Sequence, residues 1–327
     1  MADKPVISLF LLGGTISMAP AKDATSSGVV PSISAEDLCA AVPGLDQLAE
    51  IRTHTAKMVA SANLTIKDAV LLSSEIEKLS EKKESDGIVI VQGTDTLEEM
   101  AFLLDLITDV NIPIVLTGAM RSANMVSADG PGNILSSVIA AKYRPIADVG
   151  VVVLMNDDIH AARYVQKCHT RDLAAFKSRN GNKVGQICEG EVRQNYTPTQ
   201  KPKFKLSKTE GFPKVGLIKA TFGDEGELLK LISGAGFQGI VIEAFGAGHL
   251  PESWLELLTE LVKKMPVMLC SRAAEGPVFQ KTYGYAGAEI DLIARGLIPS
   301  GVLDGPKARL YMQVCLMSGV KVTIPKY

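Results

Sequence analysis

The chain has 327 residues, 46 % hydrophobic and 21 % charged, and its 34 lysines and arginines nearly balance its 36 aspartates and glutamates. This mix excludes an intrinsically disordered chain, which combines low hydrophobicity with high net charge. It also offers no general electrostatic basis for binding nucleic acid or an anionic membrane. At roughly 100–200 residues per domain the length predicts two domains, and no apolar stretch approaches the ~18–20 residues that span a bilayer.

The start of the chain admits two interpretations. Lys4, the apolar run Val6–Leu12 and Ala19-Pro20-Ala21 resemble a signal peptide with an A-x-A cleavage site. The run is of minimal length, however, and Asp3 dilutes the positive charge before it, so we prefer a buried first strand that leads into a glycine turn. The five cysteines are scattered and form no C-x-x-C pair. That usage is typical of reduced thiols and favours a cytoplasmic location.

Short apolar runs then alternate with amphipathic segments, a pattern typical of parallel strands joined by helices. The predicted strands of the first half are Val6–Leu12, Gly87–Val91, Ile112–Leu116 and Val149–Met155, and the predicted helices are Thr65–Lys83, Leu97–Asp109 and Asn133–Tyr143. We therefore expect an N-terminal α/β catalytic domain over residues 1–195, with a mostly parallel sheet and flanking helices.

The alternation lapses after Cys188 and resumes near Val215. Residues 196–213 are rich in proline and lysine without a sustained period, which predicts an exposed linker. Beyond it, the predicted strands are Val215–Ala220, Gly239–Ala244 and Val267–Cys270, and the predicted helices are Glu225–Ser233, Pro251–Lys264, Ile290–Arg295 and Pro306–Ser318. Residues 214–327 are therefore expected to form a smaller C-terminal α/β domain.

The sequence contains no convincing cofactor or metal motif. The stretch Gly234–Gly239 matches G-x-G-x-x-G, but it follows a predicted helix and precedes a strand, the reverse of the order in a dinucleotide-binding fold. No Walker A sequence is present, and the four histidines do not cluster. We expect neither a nucleotide cofactor nor a metal.

Two predicted strand ends carry the same pattern of glycine followed by threonine. The first strand runs into Gly13-Gly14-Thr15, and the strand Gly87–Val91 runs into Gly93-Thr94-Asp95. Ligands of open α/β sheets bind where the parallel strands end, and glycine lets the backbone approach them closely. Taken singly, either motif is also typical of a structural turn or a helix cap. Taken together, they predict a shared pocket into which both threonines project.

No histidine accompanies these strand ends, so a hydroxyl nucleophile there needs another activating group. A lysine held by an aspartate can serve as the base. Thr94, Asp95 and Lys177 supply such parts, the lysine lying in the polar cluster Thr170–Ser178.

These motifs together resemble the bacterial-type L-asparaginase family (asparaginase/glutaminase). The two hallmark stretches are Gly13–Ile16 and Gly93–Glu99, in order and at suitable spacing. The supporting stretches are Gly118–Arg121, Ser127–Gly130, Asp172–Ser178 and Lys307–Arg309, so the resemblance runs through nearly the whole chain. It implies hydrolysis of L-asparagine to L-aspartate and ammonia through a threonine acyl-enzyme.

The resemblance also implies catalytic roles for particular residues. Thr15 would be the attacking nucleophile. Thr94 would handle water and proton movement, with Lys177 as its base, and Asp95 would hold the substrate amine or Lys177. Backbone N–H groups around Thr94 would stabilise the oxyanion, which usually contributes most to acyl transfer.

For substrate binding, the resemblance points to residues elsewhere in the chain. Ser61 matches the serine that binds the substrate α-carboxylate, and Ala119 lies in a stretch expected to line the substrate site. Glu289 matches a glutamate that a neighbouring subunit contributes. That match implies a homo-oligomer, a dimer at least and typically a tetramer.

Three departures from the family pattern are visible. The mobile lid, here Met18–Pro31, commonly carries a tyrosine that activates the nucleophile, but no tyrosine occurs before Tyr143. Ala62 stands where the family often has Gln or Glu for the substrate amine. Ala247 stands where some members place an asparagine. Fewer polar contacts weaken discrimination between substrates.

Two alternatives to an L-asparaginase therefore remain open. The first is an amidohydrolase with combined glutaminase and asparaginase activity. The second is a catalytically silent amino-acid-binding protein of the same fold, since a fold alone does not guarantee a function.

Overall fold

The apolar run near the start of the chain forms an internal strand of a large sheet. In the computed structural model, which describes residues 4–20, 29–31, 33–199, 203–207 and 211–325, this strand is β1 (Val6–Leu11). It is hydrogen-bonded to parallel neighbours on both sides, and its residues from Ile7 onward are buried. The interpretation of this run as a buried strand is confirmed.

The chain divides into two compact units, Met1–Lys203 and Phe204–Tyr327. In the first unit the strands are β1, β2 (Met18–Pro20), β3 (Val29–Pro31), β4 (Glu50–Thr55), β5 (Gly87–Val91), β6 (Ile114–Thr117), β7 (Val151–Met155), β8 (Asp158–Ala161), β9 (Val165–Lys167), β10 (Phe176–Ser178), β11 (Gly185–Cys188) and β12 (Glu191–Gln194). Its helices are α1 (Ala35–Ala40), α2 (Leu45–Leu48), α3 (Ile66–Glu81), α4 (Leu97–Ile107) and α5 (Gly130–Lys142).

The main sheet of the first unit has the strand order β12-β11-β8-β7-β6-β5-β1-β4. Strands β4, β1, β5, β6 and β7 are mutually parallel, whereas β8, β11 and β12 continue the sheet antiparallel. The expected mostly parallel sheet with flanking helices is confirmed. Since parallel strands end at the same edge, the segments after β1, β5 and β6 all emerge together there.

Outside this sheet, β9 and β10 form a small antiparallel hairpin of their own. Phe176 pairs with Lys167, Lys177 with Gln166 and Ser178 with Val165. The sequence did not predict this hairpin, because three-residue strands carry too few positions to show a period.

The second unit is a smaller, wholly parallel α/β layer, as expected for the C-terminal domain. Its strands β13 (Val215–Lys219), β14 (Gly239–Ala244), β15 (Val267–Ser271) and β16 (Ile298–Pro299) pair in chain order. Its helices are α6 (Glu227–Ile232), α7 (Leu255–Val262), α8 (Glu289–Ala294) and α9 (Gly305–Met317). Trp254, 1 % exposed, lies in its apolar core.

Some predicted segments are only partly described. Of the predicted linker 196–213, residues 200–202 and 208–210 lie outside the described residues, as do residues 21–28 of the predicted lid. The five cysteines are free thiols. Within the described part of the chain, no helix combines the length and apolar character needed to cross a membrane.

Candidate active site

The carboxyl ends of β1 and β5 are joined by direct contact between two glycine turns. Gly13 and Gly14, which follow β1, have φ angles of 93° and 91°, a region that L side chains rarely adopt. A Cβ atom at Gly14 would overlap the backbone N and Cα of Gly93, which follows β5. The residues after the two glycines, Thr15 and Thr94, are thereby brought to the same part of the sheet edge.

Thr15 opens a single 3₁₀ turn, Thr15–Ser17, immediately beyond these glycines. The turn closes on the Gly14 carbonyl oxygen, which accepts the backbone N–H of Ser17 at 3.0 Å and its hydroxyl at 2.9 Å. Ile16 is buried beside Gly130, at the start of α5. Thr15 itself is half-buried and sits on this closed turn.

Thr94, Asp95 and a lysine form a hydrogen-bonded trio. Lys167 Nζ donates to Thr94 Oγ1 at 2.9 Å and to Asp95 Oδ1 at 2.7 Å. Thr94 is 5 % exposed, whereas the side chains of Lys167 and Asp95 are 18 % and 72 % exposed. The trio therefore runs from a buried hydroxyl to a carboxylate that faces solvent, and the ammonium–carboxylate pair balances its charge.

The lysine of this trio is Lys167 and not Lys177, which the sequence analysis assigned to it. Lys167 pairs with Phe176 across the hairpin, and Lys177 pairs with Gln166. Because successive residues of a strand point to opposite faces, Lys177 projects from the hairpin face opposite to Lys167, and it is exposed. Lys177 is therefore replaced by Lys167 in the candidate site.

Sequence reasoning missed Lys167 for a specific reason. Strand β9 is three residues long and follows no glycine turn, so nothing local distinguishes Lys167 from its neighbours. What distinguishes Lys167 from Lys177 is the register of β9 against β10. This register is seen only in the folded structure.

Two predicted substrate-binding residues lie beside the glycine turns. Ser61 is 4 % exposed, and a Cβ atom at Gly93 would lie 2.8 Å from its Oγ. Ala119, 1 % exposed, follows Gly118, where a Cβ atom would lie 3.2 Å from Thr94 Cγ2. The loop after β6 and the turn at Ser61 thus border the same strand ends as the two threonines.

Glu289 lies in the second unit, at the start of α8, and is not part of this group in the first unit. Its buried Oε1 accepts the backbone N–H groups of Thr282 and Tyr283 at 2.9 and 2.7 Å, and its Oε2 lies 3.2 Å from His249 Nε2. Burial raises the pKa of Glu289, but these hydrogen bonds outweigh burial and leave the pKa below its usual value. The carboxylate is therefore charged at neutral pH.

The three positions at which the sequence departs from the family pattern lie in different structural environments. Strands β2 and β3 pair at the two ends of the predicted lid, whose residues 21–28 lie outside the described part. Ala62 is exposed next to buried Ser61. Ala247 sits between Gly246 and Gly248, whose φ angles are 47° and 114°.

The group in the first unit can support acyl transfer by a hydroxyl. It combines a half-buried hydroxyl, a second hydroxyl bonded to a lysine, and an exposed carboxylate. Helix α4 begins at Leu97, directly after the trio, and a helix N-terminus favours developing negative charge. No group of three or more His, Cys, Asp and Glu side chains within the described ranges is arranged to hold a metal ion.

Two models of known protein families together match most of the chain. The family model described as Asparaginase, N-terminal, matches residues 6–200. The model described as Glutaminase/Asparaginase C-terminal domain matches residues 214–323.

Individual relatives match over nearly their full length. The chain is 34 % identical to L-asparaginase 2 of Escherichia coli over 318 residues, 95 % of this chain and 89 % of that protein. It is 33 % identical to the probable periplasmic L-asparaginase of Haemophilus influenzae over 320 residues, 96 % of this chain and 89 % of that one. The crystal structure of a probable cytoplasmic L-asparaginase from Campylobacter jejuni superposes with a TM-score of 0.85 at 31 % identity, covering 96 % of this chain and 95 % of that chain.

The family models and these relatives define a hydrolase that acts on amides. The chain belongs to the asparaginase family.

The contact between the glycine turns generates a first prediction. In Gly14→Ala the new Cβ overlaps Gly93, so the two turns must separate. We expect the free energy of unfolding to fall by about 3 kcal/mol or more, since overpacking adds to the ~1–2 kcal/mol cost of a left-handed backbone. Urea denaturation measures the first effect, and an ammonia-release assay should show that activity is lost.

Gly44→Ala is the matched control. Gly44 also has a positive φ of 77°, but a Cβ atom there meets no described atom within 4 Å. The free energy of unfolding of Gly44→Ala should fall only by the ~1–2 kcal/mol that the strained backbone costs, and the variant should keep its activity. Equal activity in the two variants would show that the close approach is dispensable.

Proposed function

We propose that this protein hydrolyses L-asparagine to L-aspartate and ammonia through a threonine acyl-enzyme. The observation that carries the proposal is the packing of Gly14 on Gly93, with Lys167 bonded to the hydroxyl of Thr94. Two hydroxyls and a lysine at one sheet edge supply a nucleophile and a base without histidine. The names of the Escherichia coli, Haemophilus influenzae and Campylobacter jejuni relatives support asparagine as the substrate.

In the first half of the reaction, Thr15 Oγ1 attacks the side-chain carboxamide carbon. Its proton passes to the leaving nitrogen, the C–N bond breaks, and ammonia departs to leave an aspartyl ester on Thr15. Negative charge develops on the carbonyl oxygen during the attack. Backbone N–H groups around Thr94 stabilise this charge, and the nearby N-terminus of α4 supports the assignment.

In the second half, water attacks the ester carbon and releases L-aspartate, restoring the Thr15 hydroxyl. Thr94 orients this water, whose proton passes through the Thr94 hydroxyl and Lys167 and returns to Thr15 Oγ1 as the ester C–O bond breaks. A hydrogen-bonded relay of this kind keeps the proton near the reacting oxygen at each step. Lys167 takes the role that the sequence analysis gave to Lys177.

Substrate orientation follows from charge. The substrate ammonium group binds the exposed carboxylate of Asp95, and its α-carboxylate binds the Ser61 hydroxyl, with Ala119 forming part of the wall. Glu289 of a neighbouring copy adds a second negative charge for the ammonium group. In a single chain Glu289 is wholly buried.

Glutamine hydrolysis is the second candidate function. The matched C-terminal family model carries both activities in its description, and Ala62 offers no polar side chain beside Ser61 to sense substrate length. An ammonia-release assay on asparagine, glutamine and their D-forms ranks the substrates. Faster turnover of glutamine than of asparagine would replace the proposed substrate.

Cellular location remains a prediction. Free cysteines favour the cytoplasm. Among the named relatives, the Campylobacter jejuni protein is described as cytoplasmic and the Haemophilus influenzae protein as periplasmic. Fractionation of the native cells decides between the two compartments.

Loss of the nucleophile should abolish turnover. In Thr15→Val the side chain keeps its shape but has no hydroxyl, so we expect the kcat for ammonia release to fall at least about 10⁴-fold. Thr15→Ser, which retains a hydroxyl, should keep measurable activity. Near-normal turnover in the valine variant, with its thermal midpoint unchanged, would refute the acyl-enzyme on Thr15.

The two lysines should behave differently. Lys167→Met removes the group bonded to Thr94 and should lower kcat about 10²–10⁴-fold, the usual contribution of general base catalysis. Lys177→Met changes an exposed side chain on the opposite face and should stay within about twofold of wild type. The reverse ranking in the same assay would restore Lys177 to the site.

Complementation tests the role of Glu289 across copies. Glu289→Gln keeps an acceptor for the Thr282 and Tyr283 N–H groups while removing the charge. Mixed with the Thr15→Ala chain, each inactive alone, it should restore about a quarter of wild-type activity, because half of randomly paired dimers carry one intact site of two. No recovery in mixed assemblies, with mixing verified by tagged co-purification, would overturn the role of Glu289 across copies.

A further inference from the structure

The hairpin that carries Lys167 is too small to hold itself in place. Strands β9 and β10 have three residues each and lie outside the main sheet. An isolated two-stranded hairpin is at best marginally stable in water. The position of Lys167 therefore depends on what anchors the hairpin to the rest of the first unit.

One anchor is Glu98, in the first turn of α4. Its carboxylate oxygen Oε2 accepts the backbone N–H of Lys167. Thr94 and Asp95, a few residues earlier in the same segment, bind the Nζ atom of that lysine. The segment from Thr94 to Glu98 therefore binds both the backbone N–H and the ammonium group of Lys167. These contacts restrict an otherwise flexible side chain.

A second anchor joins the other end of the hairpin to the main sheet. His160 lies on β8, and its Nδ1 is 2.8 Å from the hydroxyl of Ser178 on β10. Ser178 pairs with Val165, two residues before Lys167 on β9. His160 is 3 % exposed, and burial lowers its pKa to about 4, with a further lowering from Lys183 and Lys177 against the opposing effect of Asp158. The ring is therefore neutral at assay pH, and the contact with Ser178 persists across the neutral range.

We infer that Glu98 and His160 are positioning residues that hold Lys167 Nζ within reach of Thr94. The inference rests on the proposed function, because it takes Lys167 as the base. The two anchors act on opposite ends of a short ladder, Glu98 at Lys167 and His160 at Ser178. Loss of either lets the hairpin shift, and a displacement of about 1 Å at a catalytic group can cost about 10²-fold in rate.

Kinetics of truncated and conservative variants provide the main test. Glu98→Ala and His160→Leu should each lower kcat about 10- to 100-fold, with KM for asparagine changed by less than about threefold, since the pocket around Ser61 is untouched. Glu98→Gln keeps an acceptor oxygen, and His160→Asn keeps a polar atom near the position of Nδ1. Both conservative variants should recover most of the lost kcat.

Glu77→Ala is the chemically matched control. Glu77 on α3 also accepts a backbone N–H through its carboxylate, that of Asp109 at 3.0 Å, but Asp109 lies just after α4 and not in the hairpin. Its removal should lower the thermal midpoint by an amount similar to Glu98→Ala while leaving kcat unchanged. An equal fall in kcat would show that any loss of this kind of bond slows the enzyme, and it would overturn the inference.

Lysine labelling gives a readout that does not depend on activity. Lys167 is largely shielded and Lys177 is exposed on the opposite face of the same hairpin. Brief treatment with acetic anhydride, followed by peptide mass spectrometry, gives the ratio of acetylation at Lys167 to that at Lys177. The ratio should rise several-fold in Glu98→Ala and His160→Leu and stay at the wild-type value in Glu77→Ala.

The outcomes distinguish the catalytic role of Lys167 from the positioning role of Glu98 and His160. Wild-type turnover in Lys167→Met would overturn the proposed role of the lysine and, with it, this inference. If Lys167→Met is impaired but Glu98→Ala and His160→Leu keep both kcat and the labelling ratio, only the positioning role is overturned. Folded Glu98→Gln and His160→Asn variants that remain as slow as the truncated ones would overturn it as well.

Discussion

The backbone contact between Gly14 and Gly93 is the constraint on which the site depends. It joins the ends of two adjacent parallel strands more closely than any pair of side chains would permit. Each glycine is followed directly by a threonine, so the same contact brings two hydroxyls to one edge of the sheet. A larger residue at position 14 would divide a single site into two unrelated turns.

Around this contact, the candidate site draws on the main sheet and on a small hairpin, and the two are held in different ways. Thr15 and Thr94 follow buried strands of the main sheet, whose position is set by hydrogen bonds on both sides. Lys167 instead stands on a hairpin of two three-residue strands, held by side chains of α4 and β8. The proposed base is therefore placed by a few side-chain contacts, whereas the two threonines are placed by the main sheet.

Much of the fold could be predicted because buried parallel strands leave a local signature. The bounds of β5 and β14 coincide with the predicted apolar runs, and α9 differs from its prediction by one residue at each end. Strand β4 escaped prediction, because this polar edge strand is defined by its pairing with β1 and not by an apolar run. The antiparallel strands β8, β11 and β12 also escaped prediction, because each has only four residues, too few to show a clear period.

The sequence alone was enough to predict the two α/β domains, because they depend on the alternation of apolar and amphipathic segments. It was also enough to find the family and the two threonine turns, because these depend on short contiguous motifs. The identity of the lysine was not accessible in this way. Lys167 and Lys177 lie ten positions apart on paired strands, and which of them faces Thr94 follows from strand alternation and register. Register is set by contacts between distant segments, so it exists only once the chain has folded.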